Sequence, residues 1–249
     1  MDYLSFIVLA LISFFSSIVG TIMGMAMLIL PPTMIFFGIP VHIAVATSRF
    51  SLVGLNIGNI TKFSVHGKMH FKYALPFAVS GIIGALISAS SLIRISDKIL
   101  KITIGILMIV VSLAILLENL IVLKKKISKI TFRHHLMSIF SGLLIGAYMG
   151  IIGGGGATIV IFLLMLIYGI GSHEALANQK AITLPIALVA AAVFIYQGLI
   201  DYKLGIPLLL INIIGGWVGA TLVLKFSNIW LKRLLTPIII TMGIKLIFF

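Results

Sequence analysis

Apolar stretches of about twenty residues recur from one end of the chain to the other, and each is as long as a helix must be to cross roughly 30 Å of hydrocarbon. Two of them, residues 99–117 and 204–224, are apolar on every face. A membrane β-barrel would instead show short segments alternating between apolar and polar residues. The chain is therefore expected to be an all-α polytopic membrane protein, with the lipid bilayer as its first partner and no room for a folded soluble domain.

With 61% of its 249 residues apolar and 9% charged, a chain of this size could not stay in solution. Its net charge of +13 would raise nucleic-acid binding on a soluble protein. Here the Lys and Arg residues sit mostly in short loops between apolar runs, where they set orientation in the membrane, and no nucleic-acid partner is expected. Met1-Asp2-Tyr3 puts an acid where a signal peptide needs basic residues, and no clear cleavage site follows, so the first segment is read as retained. The absence of cysteine excludes disulfides, thiolate metal sites and thiol relays. No cofactor is called for.

The sequence reads as one unit written twice. At an offset of 131 residues, Gly38-Ile39-Pro40-Val41-His42 lies over Gly169-Ile170-Gly171-Ser172-His173, and Ala46-Thr47-Ser48-Arg49 lies over Ala177-Asn178-Gln179-Lys180. The same register pairs Pro76 with Pro207, Gly84 with Gly215 and Leu100-Lys101 with Leu231-Lys232. Upstream the offset becomes 126, pairing Gly20 and Gly24 with Gly146 and Gly150, so the second copy holds five extra residues around Gly153-Gly154-Gly155-Gly156. Residues 1–123 are read as the first membrane repeat and 136–249 as the second. Residues 124–135 form the densest basic run and are read as a cytoplasmic linker.

Helical segments are expected near residues 4–36, 42–62, 72–93 and 99–123, and again near 134–168, 173–197, 204–224 and 230–249. The first of each set is too long for one span at about 1.5 Å per residue. Each has glycines midway and is expected to be broken there, giving two homologous repeats of four to five segments. If the two pieces continue through the bilayer, the protein has eight crossings and parallel repeats; if they form a hairpin, the repeats are inverted. The hairpin arrangement leaves Lys62, Lys68, Lys72, Lys225, Lys232 and Arg233 on the side of the linker, the better charge asymmetry of the two.

Two constellations could carry chemistry. Gly142, Gly146 and Gly150 make a smooth stripe for close helix contact, but Gly153, Gly154, Gly155 and Gly156 cannot hold a helix cheaply at membrane depth. They are either a structural bend or an unwound stretch whose amides, with the amino end of the next helix, favour an anion. Thr47-Ser48-Arg49 and its counterpart Asn178-Gln179-Lys180 lie about two turns into segments read as spanning. A charge there costs about 3 kcal/mol or more. The two cations, flanked by hydroxyl and amide donors, either form an oxyanion site between the repeats or snorkel to a near interface.

His42 and His173 also match across the copies, as loop-capping residues or as a pH-dependent gate. Only five carboxylates exist, Asp2, Asp97, Glu118, Glu174 and Asp201, which makes a sodium site or carboxylate relay hard to build. Glu174 lies next to the candidate site and is the first carboxylate to consider for protons. His173-Glu174-Ala175-Leu176-Ala177 lacks the second histidine of a zinc motif, Gly150-x-x-x-x-Gly155 lacks the Lys and Ser or Thr of a phosphate loop, and no nucleophile elbow is present. Catalysis is not expected.

The doubled unit, the glycine-interrupted first segment and Ala44-Val45-Ala46-Thr47-Ser48 behind a Gly-Ile-Pro-x-His turn together resemble the sulfite exporter TauE/SafE family of membrane permeases. The family's glycine stretch before a proline is matched in the second copy by Gly150-Ile151-Ile152-Gly153-Gly154-Gly155-Gly156, with no proline close behind. In the first copy Pro31-Pro32 stand behind Gly20 and Gly24, while the cluster has become Met25-Ala26-Met27. The resemblance implies a multi-pass protein of the cell membrane that moves sulfite or an organosulfonate by secondary transport coupled to protons. The residues themselves leave a passive anion channel and a non-transporting scaffold as alternatives, and leave the oligomeric state open.

Overall fold

The computed structural model describes residues 2–65, 71–116, 130–225 and 229–248, without the side chains at 65, 71, 111, 114–116, 172, 173, 229–236 and 238. Residues 124–129 of the basic linker lie outside the described residues. Among those described there are ten α-helices and no strand. They are α1 (Tyr3–Met23), α2 (Ala26–Phe36), α3 (Val41–Val65), α4 (Phe71–Ala89), α5 (Asp97–Leu116), α6 (Phe132–Ile151), α7 (Gly156–Tyr168), α8 (Ser172–Tyr196), α9 (Tyr202–Lys225) and α10 (Ile229–Phe248). Five stretches are long and apolar enough to cross a bilayer: Tyr3–Met23, Lys72–Arg94, Phe132–Ile151, Glu174–Tyr196 and Tyr202–Lys225. The chain is a multi-pass membrane protein.

α2 and α7 are much shorter than a span, and each folds back along the helix before it. α1 stops at Met23, Gly24 takes a left-handed φ of 77°, and its N–H bonds the Gly20 carbonyl. A left-handed residue is the usual end of a helix and costs glycine nothing. The chain then reverses, because the Ser16 hydroxyl reaches the Ala26 carbonyl at 3.2 Å, and Leu9 clusters with Leu30 and Met34. α7 does the same against α6: Gly155 has φ 76°, and at the far end the Ser138 and Tyr168 hydroxyls meet at 2.6 Å.

Contacts at the helix ends sort the elements into two faces of the bundle. On one face the Ile95 carbonyl bonds His42 at 2.9 Å, Gln197 donates to the Ser90 carbonyl at 3.2 Å and the Asp201 N–H donates to Thr47 at 3.0 Å. On the other, His134 stacks on Tyr168 and Tyr73 lies 4.8 Å from the same ring. The Lys62 ammonium sits over the Trp217 ring on that face. α1 therefore starts at the first face and α6 at the second.

Helices in lipid gain nothing from burying apolar surface against each other, so association depends on close packing and interhelical hydrogen bonds. Small residues supply the packing. A Cβ on Gly142 would run into Phe77 and Ser80 of α4, one on Gly146 into the Gly81 backbone, and one on Gly150 into Ala85 and Ser88. α1 and α9 pack in the same way, with Gly215 and Gly219 on α9 against Ser17 and Thr21. Ser13 and Ser17 there both donate to the Asn212 carbonyl oxygen at 2.7 Å. α3 packs on α9 and α4 on α8, and α5 pairs with α10. The two hairpin tips meet in the interior, where the Thr158 hydroxyl of α7 donates to the Met23 carbonyl of α1 at 2.6 Å.

Candidate functional site

α3 and α8 pass beside those tips, and each carries one buried cation. Arg49 on α3 is 3% exposed and Lys180 on α8 is 1% exposed, so neither snorkels. The Arg49 guanidinium donates to the Met149 carbonyl and occupies the space that a side chain on Gly153 would need. The Lys180 ammonium donates to the Gly20 carbonyl at 3.4 Å, a long contact. Both carbonyls belong to the last turn of a helix, where a cation is favoured; the Gly20 carbonyl also accepts from the Gly24 N–H. Among the described residues, neither cation has a carboxylate within ion-pair distance.

The two cations line one cavity of about 50 Å³ together with Gln179, Asn56, Thr183 and the backbone at Gly20, Gly24 and Gly153. A water needs about 10–15 Å³ by the same measure, so the space admits about three to five groups of that size. Its polar wall is a directed hydrogen-bond chain. Gln179 Nε2 donates to Thr183 Oγ1 at 2.8 Å, Thr183 donates to Asn56 Oδ1 at 3.2 Å, and Asn56 Nδ2 donates to the Leu52 carbonyl at 3.3 Å. Gln179 Oε1 and Arg49 Nε are buried with no partner.

The remaining expected residues lie elsewhere. Thr47 accepts from the Asp201 N–H, Ser48 donates to the Met34 sulfur at 3.3 Å, and Asn178 donates to the Glu174 carbonyl at 2.7 Å. The reason is helical geometry: successive residues point about 100° apart, so three in a row cannot share a face. The residues that do converge are Arg49, Leu52 and Asn56 on α3 and Gln179, Thr183 and Ala187 on α8, at three- and four-residue spacing. Thr183 joins this wall at four-residue spacing from Gln179, a signal the sequence carries.

Of the four glycines, Gly153 alone lines the cavity. Gly154 packs on Leu28, and its carbonyl accepts from the Tyr148 hydroxyl. Gly155 makes the turn, and Gly156 faces Met149. His42 sits at the start of α3, with Nε2 on the Ile95 carbonyl and Nδ1 2.8 Å from Asp97, and fastens a loop rather than facing the cavity. The side chain of His173 lies outside the described residues. Glu174 is half-buried in the first turn of α8 and does not line the cavity.

Spanning helices, two half-length helices folded back to the interior, and a cation-lined cavity where their tips meet define a multi-pass helical membrane protein built around an internal polar site. The chain belongs to the sulfite exporter TauE/SafE family, whose model matches residues 5–246. It is similar to the "probable membrane transporter protein" YdhB of Bacillus subtilis (strain 168), with 24% identity over 204 residues covering 81% of each chain. It is also similar to the "probable membrane transporter protein" ORF9 of a Sinorhizobium species, with 24% identity over 236 residues covering 94% of this chain and 89% of that one. No solved structure matches it. The protein is a membrane transporter of that family.

Proposed function

We propose that the protein is a secondary carrier of a small oxyanion, a sulfur oxyanion such as sulfite or a short organosulfonate, held between Arg49 and Lys180. The observation that carries this reading is a pair of buried cations lining one cavity with no carboxylate, among the described residues, within ion-pair distance. An uncompensated buried charge costs about 3–5 kcal/mol, a cost that a bound anion removes. The cavity has the size of an ion of four or five heavy atoms, and the family's description points to sulfite.

In this reading the chain is two copies of one five-helix unit in inverted orientation. Left-handed glycines recur at an offset of 131 residues, Gly24 with Gly155 and Gly38 with Gly169, which gives Gly24 a different partner from the Gly150 of the sequence register, and the halves exchange equivalent contacts. Arg49 of the first half caps α6 of the second, and Lys180 of the second half caps α1 of the first. Rocking of one half against the other would open the cavity to each face in turn. Glu174, about 9 Å along α8 from Lys180 at helical rise, is the proposed proton carrier, and no covalent chemistry is assigned to any residue.

The capping contacts favour a second reading, in which both cations serve only to close helix ends and the protein is a scaffold. Counterflow of labelled sulfite into proteoliposomes separates the possibilities. The carrier exchanges label saturably and concentrates it against a gradient; a passive channel conducts without saturation or coupling, and a scaffold does neither.

A further inference from the structure

We infer that the site selects an oxyanion that carries its own proton, binding the hydrogen form of a pyramidal oxyanion such as hydrogen sulfite in preference to a proton-free anion of the same charge and shape. The inference rests on the carrier reading above and concerns the same cavity. It starts from Gln179 Oε1, an acceptor that is buried, unpaired and part of a side chain lining the cavity.

The orientation of the Gln179 amide follows from its neighbours. The Leu52 carbonyl can only accept, so Asn56 presents Nδ2 to it and leaves Oδ1 towards Thr183. Thr183 has one hydroxyl proton and two acceptors in reach, the Gln179 main-chain carbonyl at 3.1 Å and Asn56 Oδ1 at 3.2 Å; the carbonyl already takes part in the helix ladder, so the proton serves Asn56 Oδ1. The hydroxyl oxygen is then free to accept, and Gln179 offers Nε2 to it at 2.8 Å. Turning the Gln179 amide over would draw the Thr183 proton to Oε1 and leave two oxygens, Thr183 Oγ1 and Asn56 Oδ1, facing each other at 3.2 Å without a proton between them.

The lining therefore combines the cationic donors of Lys180 and Arg49 with an unpaired acceptor on Gln179. A fully deprotonated oxyanion satisfies the donors but sets an oxygen lone pair against Gln179 Oε1. A singly protonated one places its anionic oxygens on the cations and its O–H on Gln179. A site built to bond a ligand hydroxyl discriminates strongly against an analogue without it, because the buried partner is left unpaired. The same acceptor would take the hydroxyl of a hydroxyl-bearing sulfonate where the cavity admits it.

Chlorate and hydrogen selenite provide the test, since both are singly charged pyramidal oxyanions and only the second has a hydroxyl. Binding of each is measured by calorimetry on the purified full chain, at a pH where hydrogen selenite is its main species, for the native protein and for Gln179→Met and Gln179→Glu. The expected result is a preference for hydrogen selenite of about tenfold or more that disappears in Gln179→Met while chlorate affinity is retained. Equal affinity for the two anions in the native protein, or tighter chlorate, overturns the inference and leaves the carrier reading standing. Binding of neither anion by folded protein overturns the carrier reading itself. If Gln179→Met does not fold, Gln179→Glu, which keeps the shape and the acceptor, is expected to weaken both anions, and a variant that gains chlorate affinity contradicts the assignment.

Discussion

Replacing Lys180 with methionine separates a binding cation from a structural one by the sign of its effect on stability. Lys180 is fully buried, has no carboxylate partner among the described residues, and makes one long contact to Gly20. Removing a lysine charge from the middle of a span recovers about 3 kcal/mol on insertion scales. Loss of the contact to the Gly20 carbonyl costs about 1 kcal/mol, since that carbonyl still accepts from the Gly24 N–H. Methionine fills similar space with a flexible apolar chain. The anion-free variant should therefore be more stable than the native protein by about 2 kcal/mol. With anion at a hundred times its dissociation constant the native protein gains about 2.7 kcal/mol by mass action, and the variant should gain none. Chemical unfolding in mixed micelles, with and without sulfite, measures both quantities. If the anion-free variant is instead destabilised by more than about 2 kcal/mol, a structural loss of the kind that breaks buried networks, Lys180 is a helix cap and the reasoning fails.

Arg49→Gln should loosen the second hairpin tip, because the guanidinium bonds Met149 and fills the notch at Gly153. Hydrogen exchange over residues 149–156 should accelerate about tenfold or more, and unchanged exchange would remove Arg49 from that role. Gly153→Ala combines a left-handed backbone of φ 68° with a Cβ placed on the guanidinium and should cost about 2 kcal/mol or more, whereas Gly38→Ala, with φ 83° and open space around it, should cost about 1 kcal/mol. Equal costs would mean that the Gly153 notch is not needed. Pro40→Cys and Gly171→Cys, equivalent positions in the proposed pair of repeats and both exposed, should react with an impermeant thiol reagent from opposite sides of the membrane. Reaction from one side would overturn the inverted arrangement.

The membrane class and the all-helical architecture were legible because apolar length needs no tertiary information: 99–117 and 204–224 have no polar face to present to water. The burial of Arg49 and Lys180 was weighed against snorkelling in the sequence and settled by packing, since the distance from a loop does not tell whether a neighbouring hairpin covers the side chain. Thr47, Ser48 and Asn178 stand next to the cations along the chain, but the helix turns them to other partners, the Asp201 N–H, the Met34 sulfur and the Glu174 carbonyl. Thr183 could have been found by stepping four residues from Gln179. The reversal at Met23-Gly24-Met25 is less accessible from sequence, because a glycine permits a kink and a hairpin alike; contacts between residues such as Ser16 and Ala26 decide between them.

The central claim is that the two cations exist to hold an anion. The most direct measurement of it is equilibrium binding of labelled sulfite to the purified protein and to its Lys180→Gln variant, each shown to be folded. Saturable binding to the native protein, weakened by about tenfold to a hundredfold in the variant as expected for loss of one charge-assisted hydrogen bond, is the predicted result. Equal binding to both proteins, or none to either, would contradict the account.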